Sequence, residues 1–374
     1  MNITKTAKDN KRVVVAMSGG VDSSVAAALL KEQGYDVIGI SMRLIGYQEG
    51  MERVGGCCSI DDLNDARRVC DQLGIPFYVI NLENAFREKV INKFISEYLS
   101  GRTPNPCVLC NQRLKFEMLL NKARELEADY LATGHYAKID FDESSKRYRL
   151  IKGVDPGKDQ SYFLFTLTQE QLKNVLFPLG GMKKEEVRRL AQRYNLKVAE
   201  KVESQEICFI PDDNYSRFIL EKATPDSVKP GDIVDTSGKV LGRHSGIHNY
   251  TIGQRKGLGI SSPKPLYVTG FDLSKDNVIV GEEERLYSDV LVVDDVNWIS
   301  IPKPEEEMEV KVKIRYRHDG EDAVLMPVDS RKVRIEFKRP VKSITPGQAA
   351  VFYDGDIVLG GGWIKGPAYL SPVL

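Results

Sequence analysis

The chain lacks any long apolar run, which excludes a protein with a membrane-spanning helix. Its longest uninterrupted apolar stretch, Val25–Leu30, has six residues, whereas a spanning helix needs about 20. The first apolar run, residues 13–17, is also too short for the core of a signal peptide. From these two absences we expect a cytoplasmic protein.

An excess of charge of either sign is also missing. Lys plus Arg and Asp plus Glu each number 53 among 374 residues, so the formal net charge is zero. This argues against a protein held on nucleic acid by bulk charge, but it is compatible with a local basic patch. The length predicts two or three domains.

Cysteine is scarce, with six residues in the chain. In the reducing compartment that we expect, these should be thiols, and the close pair Cys107 and Cys110 is typical of catalysis or metal binding. A closed zinc site needs four ligands. His244 and His248 have a spacing typical of metal ligands, but they lie more than 130 residues beyond Cys110 in another predicted domain, which argues against a zinc site shared with the cysteine pair. Three other cysteines are interpreted as packing or loop thiols: Cys57, Cys58 and Cys70. Cys208 is treated below.

Short apolar strands alternate with amphipathic helices in the first third of the chain. Ser59 and Asp62 form a capping-box pattern, Ser-x-x-Asp, which predicts the start of one of these helices. Predicted strands at 12–17, 36–42, 77–82 and 129–133 indicate an α/β domain whose parallel sheet is covered on both faces. Beyond residue 211 the strands are short and separated by Gly and Pro, which is typical of small β-barrels. We predict three domains: 1–211, a mainly-β central domain 212–282, and a C-terminal β-barrel 283–374.

The first predicted strand runs directly into residues 18–24, SGGVDSS, which open the first helix. Two glycines permit a tight turn, so that backbone N–H groups, hydroxyls and the helix N-terminus can bind an anion. The Walker pattern GxxxxGK[ST] is missing, and no GxGxxG follows a strand. The segment instead resembles the SGGxDS motif of the PP-loop ATP pyrophosphatases, which cleave ATP between its α and β phosphates.

Two cysteines have surroundings that favour reactivity. We predict a helix from Cys110 to Leu120, which places Cys110 near a helix N-terminus, where the helix dipole lowers the pKa of a thiol. Cys208 lies in a short strand-like run, residues 206–211, that closes the first domain.

The segment 309–317, EVKVKIRYR, alternates strictly between charged and apolar side chains, and the charged ones from residue 311 onward are basic. As a strand it would place Lys311, Lys313, Arg315 and Arg317 on one face, either as a surface for a polyanion or as a solvated barrel face. A second predicted basic cluster comprises Arg243, His244, His248, Arg255 and Lys256.

Nine motifs spread over residues 11–364 resemble the tRNA-specific 2-thiouridylase family, MnmA. They are SGGVDSS, TPNPCVLCN (103–111), ATGHYAK (132–138), GKDQSYFL (157–164), ICFIP (207–211), YTIGQRKGLGI (250–260), VKIRYR (312–317), TPGQAAVFY (345–353) and LGGGWI (359–364). The resemblance implies that the α/β domain is a Rossmann-like adenine nucleotide alpha hydrolase domain and that both β domains contact tRNA.

The resemblance also implies the reaction. ATP, with Mg²⁺, adenylates O2 of the wobble uridine (position 34), and a persulfide sulfur then displaces AMP from C2. Cys208 is expected to carry the persulfide, and Cys110 to release the sulfur by forming a disulfide with it. The sulfur would come from a cysteine desulfurase or a sulfur-relay protein, and the substrates would be the lysine, glutamate and glutamine tRNAs.

The residues that match the family's contacts fall into two sets. Those expected at ATP are Ala16, Met17, Ser18, Gly19, Gly20, Val21, Asp22, Ser23, Met42 and Gly134. Those expected at the target base or elsewhere on tRNA are Asn105, Pro106, Cys107, His135, Lys158, Asp159, Gln160, Arg315, Tyr316 and Gln348.

One position departs from the family pattern. Well-known members carry Asp, a proposed general acid or base, where this chain has Cys107. Cys107 could replace it if its pKa were lowered. Alternatively, Cys107, Cys110 and Cys208 could hold an iron–sulfur cluster with one open site.

Two other functions remain open on the sequence. One is a different PP-loop ATP pyrophosphatase acting on tRNA, which would not depend on Cys208. The other is a non-catalytic RNA-binding protein that holds a metal or cluster on its cysteines, and it would release no pyrophosphate.

Overall fold

The computed structural model describes residues 11–46, 59–202, 207–210, 212 and 214–367. No helix among them is long and apolar enough to cross a membrane. Cys57 and Cys58 lie outside the described residues. The strands of the first half of the chain are β1 (Arg12–Ala16), β2 (Asp36–Arg43), β3 (Phe77–Asn81), β4 (Tyr130–Ala132), β5 (Ala137–Asp142), β6 (Arg147–Lys152) and β7 (Val175–Leu176).

The helices lie mostly in the same half. They are α1 (Val21–Glu32), α2 (Ile60–Leu73), α3 (Glu83–Phe86), α4 (Asn92–Leu99), α5 (Pro106–Cys110), α6 (Leu120–Glu125), α7 (Gln169–Lys173), α8 (Lys184–Arg193) and α9 (Tyr215–Lys222). Two π-helical segments, Arg87–Ile91 and Asn111–Leu119, join α3 to α4 and α5 to α6. Short 3₁₀ turns occur at Ser161–Leu164, Pro225–Ser227, Ile247–Asn249 and Glu283–Leu286.

A five-stranded parallel sheet in the order β3-β2-β1-β4-β7 forms the centre of the first domain. The central strand, β1, carries apolar side chains on both faces, because each face of the sheet is covered by a core. Val13 and Val15 pack into one core with α1, α2 and α8, while Val14 faces a second core. The α/β prediction is confirmed.

Two further sheets follow. The first contains β8 (Gly231–Asp235), β9 (Val240–His244), β10 (Tyr267–Asp272) and β11 (Asn277–Gly281) in the order β10-β11-β8-β9. The second contains β12 (Tyr287–Trp298), β13 (Met308–Lys313), β14 (Glu321–Pro327), β15 (Val333–Lys342), β16 (Ala349–Asp354) and β17 (Ile357–Pro367). These six strands close into a barrel because β12 pairs with both β15 and β17.

The hairpin β5–β6 belongs to the barrel sheet, although its residues lie within the segment 1–211. Leu150 and Ile151 of β6 pair with Val358 and Ile357 of β17. The second core of the parallel sheet likewise combines Val14 with barrel residues such as Val351. The α/β domain and the barrel therefore share strand pairing and a core.

The predicted strand 309–317 is wrong beyond Lys313, where β13 ends. The chain turns there, with the N–H of His318 donating to the carbonyl of Arg315 (3.1 Å), because it must reverse to enter β14 at Glu321. Arg315 and Arg317 therefore do not share a strand face with Lys311 and Lys313.

The predicted basic cluster of the central domain is also wrong for its two histidines. His244 and His248 are 6% and 0% exposed, and burial lowers the pKa of each. Both are therefore neutral core residues at neutral pH, while Arg243, Arg255 and Lys256 are exposed.

Candidate active site

A cavity of about 410 Å³ lies where β1, β2 and β4 end, the usual ligand position in an open α/β sheet. Its volume is in the range of small-molecule sites. Residues from both predicted sets line it: Ala16, Met17, Ser18, Gly20, Val21, Asp22, Ser23, Met42, Pro106, Cys107, Gly134, His135 and Gln160. The two cysteines predicted to transfer sulfur, Cys110 and Cys208, also line it. The structure therefore brings the SGGVDSS segment, residues 18–24, which we call the phosphate loop, and three cysteines to one place.

The phosphate loop connects β1 to α1 in a turn that only glycine fits. Gly19 has a φ of +73°, and a Cβ there would lie 2.2 Å from the carbonyl oxygen of Asp62. Gly19 lies behind the cavity wall, packed on the first turn of α2, which the predicted Ser59–Asp62 capping box begins. The N–H of Ser18 donates to Oγ of Ser23 (3.2 Å), so the loop is fixed before any ligand binds.

Acidic and basic side chains flank this loop in pairs. The Nζ of Lys184 lies 2.7 and 2.9 Å from the two carboxylate oxygens of Asp22, which also accepts from the hydroxyl of Tyr136 (2.8 Å). The two ends of this ion pair differ in exposure: the Lys184 side chain is 10% exposed and that of Asp22 31%. The pairing holds a cation and an anion at the helix N-terminus.

Lys201 occupies the other side of the loop. Its Nζ donates to Gly19 O (3.0 Å), to Asp62 (2.7 Å) and to Asp65 (2.6 Å). Burial alone would lower its pKa, but the hydrogen bonds to both carboxylates outweigh burial and raise it. The sequence reasoning missed Lys184 and Lys201 because each is isolated in sequence from the loop it contacts.

The end of β4 approaches the loop closely at Gly134, where a Cβ would lie 2.8 Å from the backbone nitrogen of Ser23. The next residue, His135, is 8% exposed, and its Nδ1 lies 2.6 Å from Oγ1 of Thr133. Burial and the nearby Lys115 hold the pKa of His135 well below its usual value. His135 is therefore a neutral hydrogen-bonding group in the cavity wall at neutral pH.

The cysteine pair lies at the start of a helix that begins earlier than predicted. Asn105 caps α5, its Oδ1 accepting from the N–H of Val108 (3.3 Å), and Pro106 is the first helical residue. Cys107 is thus at the second helical position and is exposed. Cys110 is the last residue of α5, not near its start as predicted, and is half-buried. The helix predicted from Cys110 actually begins at Pro106 because the Asn105 cap and the proline favour a helix start there.

Cys208 is in a turn, not in the predicted strand. The N–H of Ile210 donates to the carbonyl of Ile207 (2.8 Å), closing the turn. Phe209 anchors it, with its ring 5.6 Å from that of Phe86 and 5.2 Å from that of Phe94. In the part of the chain that the structure describes, residues 207–210 belong to no strand, and packing of the Phe209 side chain positions Cys208.

Among the described residues, no group of three or more Cys, His, Asp or Glu side chains is arranged to hold a metal ion. Cys107, Cys110 and Cys208 line one cavity, but their arrangement does not fit a shared cluster. Cys70, interpreted as a packing thiol, is fully buried, and burial raises its pKa to about 12.

The residues expected at tRNA divide between the cavity and its surroundings. Gln160 lies in the wall and its Oε1 accepts from the N–H of Tyr136 (3.0 Å). Tyr316 packs on Phe163, another wall residue, with ring centroids 4.6 Å apart. Asp159 is 7% exposed, and its carboxylate accepts from Gly153 and Ser161. The Asp159 carboxylate therefore accepts its hydrogen bonds from within the protein.

The remaining members of this set lie outside the cavity. Lys158 is half-buried next to Asp159, and Arg315 is exposed on the turn after β13. The Nε2 of Gln348 donates to the carbonyls of Thr103 (2.9 Å) and Pro104 (3.1 Å). Gln348 thus fixes the loop that leads to Asn105.

Comparison with known proteins gives a consistent result along the whole chain. The tRNA methyl transferase HUP domain family matches residues 11–212, the tRNA methyl transferase PRC-barrel domain family 217–282, and the aminomethyltransferase beta-barrel domain family 288–364. The tRNA-specific 2-thiouridylase MnmA of Geotalea uraniireducens (strain Rf4) is 60% identical over 360 residues, 95% of each chain. The chain belongs to the MnmA family of tRNA-specific 2-thiouridylases.

A second MnmA, from Geobacter metallireducens, is 57% identical over 364 residues, 96% of this chain and 98% of the relative. Among solved structures, a 4-thiouridine synthetase–RNA complex with bound ATP matches with a TM-score of 0.36 and 15% identity, over 58% of this chain and 51% of that chain. MnmA membership confirms the family recognised from the nine motifs, and the HUP, PRC-barrel and β-barrel order confirms the predicted fold class.

Proposed function

We propose that this chain is an ATP-dependent tRNA-uridine 2-sulfurtransferase. It converts the wobble uridine (position 34) to 2-thiouridine with release of AMP and pyrophosphate. The observation that carries this proposal is the single continuous wall on which a phosphate loop and Cys107, Cys110 and Cys208 meet. Adenylation requires the loop and sulfur transfer requires thiols. The first step acts on O2 of the base and the second on C2, which is bonded to O2, so both groups must lie at one place.

The phosphate loop performs the first step. The N–H groups at the start of α1 bind the phosphates of ATP, while uridine O2 attacks the α-phosphorus and pyrophosphate leaves. Lys184 supplies positive charge beside them. Asp22, whose carboxylate is partly exposed in the wall, would hold the Mg²⁺ that accompanies ATP, and that ion would neutralise phosphate charge.

The cysteines perform the second step. The terminal sulfur of a persulfide on Cys208 attacks C2, and the C–O bond to AMP breaks. The transferred sulfur is then bonded both to C2 and to the Cys208 sulfur. The Cys110 thiolate attacks the Cys208 sulfur, the bond between that sulfur and the transferred one breaks, and 2-thiouridine leaves. The transferred sulfur is reduced by two electrons, and the two cysteines are oxidised to a Cys110–Cys208 disulfide, which an external thiol reduces.

Cys107 is assigned to proton transfer at the base. It is exposed to the cavity at the second position of a helix, where the helix dipole favours the thiolate. The three cysteines do not fit a metal-holding group among the described residues, so no step is routed through an iron–sulfur cluster.

The β domains would hold the tRNA. We assign residues 1–211 to catalysis, 212–282 to a central tRNA-contacting domain and 283–374 to a tRNA-binding barrel. Tyr316 packs on the wall residue Phe163, and Gln348 holds the loop that leads to α5. Together with Lys158 and Arg315 they are assigned to contacts with the anticodon arm. We further assign lysine, glutamate and glutamine tRNAs as substrates, a cysteine desulfurase or sulfur-relay protein as partner, and the cytoplasm as location.

The test is incubation of the full chain with tRNA, ATP, Mg²⁺ and a persulfide donor. Nucleoside mass spectrometry should show 2-thiouridine, with one pyrophosphate released per thiolated uridine. Pyrophosphate release without sulfur incorporation would indicate a different PP-loop enzyme. Absence of both would indicate a non-catalytic RNA-binding protein.

A further inference from the structure

We propose that Asn111 is a specificity-determining residue that accepts a hydrogen bond from N3–H of the target uracil. The proposal rests on the function proposed above and names the group by which the site distinguishes uridine from cytidine.

Asn111 follows Cys110 directly and lies in the cavity wall together with Cys110 and Phe163. Its side chain is almost completely buried, with 4% of the residue exposed. The Nδ2 donates to the backbone carbonyl of Phe163 (3.3 Å). Because a carbonyl can only accept, this contact fixes which end of the amide is which.

The other end of the amide, Oδ1, has no hydrogen-bond partner within the described part of the chain. Buried polar atoms in native proteins are nearly always paired, and each exception needs an explanation. Asn111 is also the first residue of the π-helical segment Asn111–Leu119, a type of helical turn found frequently at functional sites. A donor supplied by the substrate explains both the unsatisfied acceptor and its position beside Cys110.

The chemistry of the base identifies that donor. The carbon that receives sulfur, C2, is bonded to N3, so a base placed with C2 between Cys110 and Cys208 brings N3 to the same part of the wall. Uracil has a hydrogen on N3, whereas N3 of cytosine is an acceptor. An asparagine oxygen held as acceptor therefore favours uracil and rejects cytosine, since a site built for a donor discriminates strongly against its absence.

The experiment is a double-mutant cycle between protein and substrate. Anticodon stem-loops carry uridine or 3-deazauridine at position 34; the latter replaces N3–H by C–H and the 4-carbonyl by a hydroxyl on a planar ring of the same size. The effect of the new hydroxyl is common to both proteins and cancels in the cycle. Each is thiolated by wild type and by Asn111→Leu, and kcat/KM is measured for all four combinations. Asn174→Leu is the matched control, because Asn174 also donates from Nδ2 to a backbone carbonyl (Glu170, 2.9 Å) and is not in the wall.

Replacing uridine by 3-deazauridine should lower kcat/KM of the wild type. We expect this decrease to be larger than the decrease in Asn111→Leu by a factor of roughly 10 or more, because the variant has already lost the hydrogen bond. Cytidine stem-loops should compete poorly with uridine for the wild type and better for Asn111→Leu. Equal effects of 3-deazauridine in both proteins would overturn the proposal.

Binding provides a second measurement in case Asn111→Leu does not fold. Wild type should bind the uridine stem-loop more tightly than the 3-deazauridine stem-loop, and equal affinities would also overturn the proposal. If wild type thiolates no uridine at all, it is the proposed function that fails, which the cycle separates from failure of the Asn111 assignment.

Discussion

The two ends of the cavity are built in different ways. The phosphate end comes from one continuous segment, residues 16–23, whose groups hydrogen-bond to one another and to Lys184 and Lys201. The sulfur end comes from two distant segments, the start of α5 and the turn at Cys208, which is held by the packing of Phe209 on Phe86 and Phe94. Local sequence determines the first end, and tertiary packing determines the second.

The two ends also differ in polarity. Ion pairs surround the phosphate loop, and these can exchange partners when an anion enters. Cys110 and Cys208 are half-buried and pack against an apolar cluster that contains Phe209 and Ile210. In the proposed reaction, these apolar neighbours would shield a persulfide on Cys208 from water and from unrelated reductants.

The largest expected effect is at the sulfur end. Cys208→Ser and Cys110→Ser should each lower thiolation by about 10³-fold or more, and the double variant should be no worse, because residues acting in one step are not additive. Pyrophosphate release should continue in Cys208→Ser. Single-turnover mass spectrometry of 2-thiouridine measures the effect, and Cys70→Ala, outside the wall, is the control. Persistent sulfur transfer by Cys208→Ser would contradict the division between the two ends.

A smaller effect is expected at the phosphate end. Lys184→Met should lower pyrophosphate release by roughly 10- to 100-fold, since it removes one charge-assisted contact to phosphate. Lys183→Met is the matched control, because Lys183 is adjacent and exposed. Adenylation at the wild-type rate in Lys184→Met would mean that Lys184 only neutralises Asp22.

The smallest effect concerns residues outside both ends. Arg315→Ala and Arg317→Ala should weaken tRNA binding and each reduce the slope of log affinity against log salt by about 1 or less. ATP affinity should not change. Arg339→Ala, another exposed barrel arginine, is the comparison. Unchanged slopes for both variants would show that the turn after β13 does not contact tRNA phosphate.

The sequence predicted well those features that depend on neighbouring residues. The strand, two glycines and hydroxyls of residues 12–24 form the expected loop, and Ser59 and Asp62 form the expected capping box. The N-terminal strands of the parallel sheet also lie where apolar runs predicted them. In each case the physical cause, a turn, a cap or an apolar strand, acts within about ten residues.

Features that depend on distant partners were predicted less well. Strand alternation continues to Arg317, yet β13 ends at Lys313 because β16 pairs with it only as far as that residue. Lys201 reaches the phosphate loop from residues far along the chain, and no local pattern marks it. Asn111 carried no signal, because an unsatisfied amide oxygen becomes visible only when its surroundings are known.

The pairing of β6 with β17 has a consequence for synthesis of the chain. The two strands are about 200 residues apart, and at typical rates of translation the second emerges from the ribosome roughly 10–40 s after the first. During that interval β6 presents an open edge with unpaired N–H and C=O groups, which can pair with other nascent chains. We therefore expect the newly made chain to need a chaperone over this interval, and release from the ribosome before Ile357 to produce aggregation rather than an active α/β fragment.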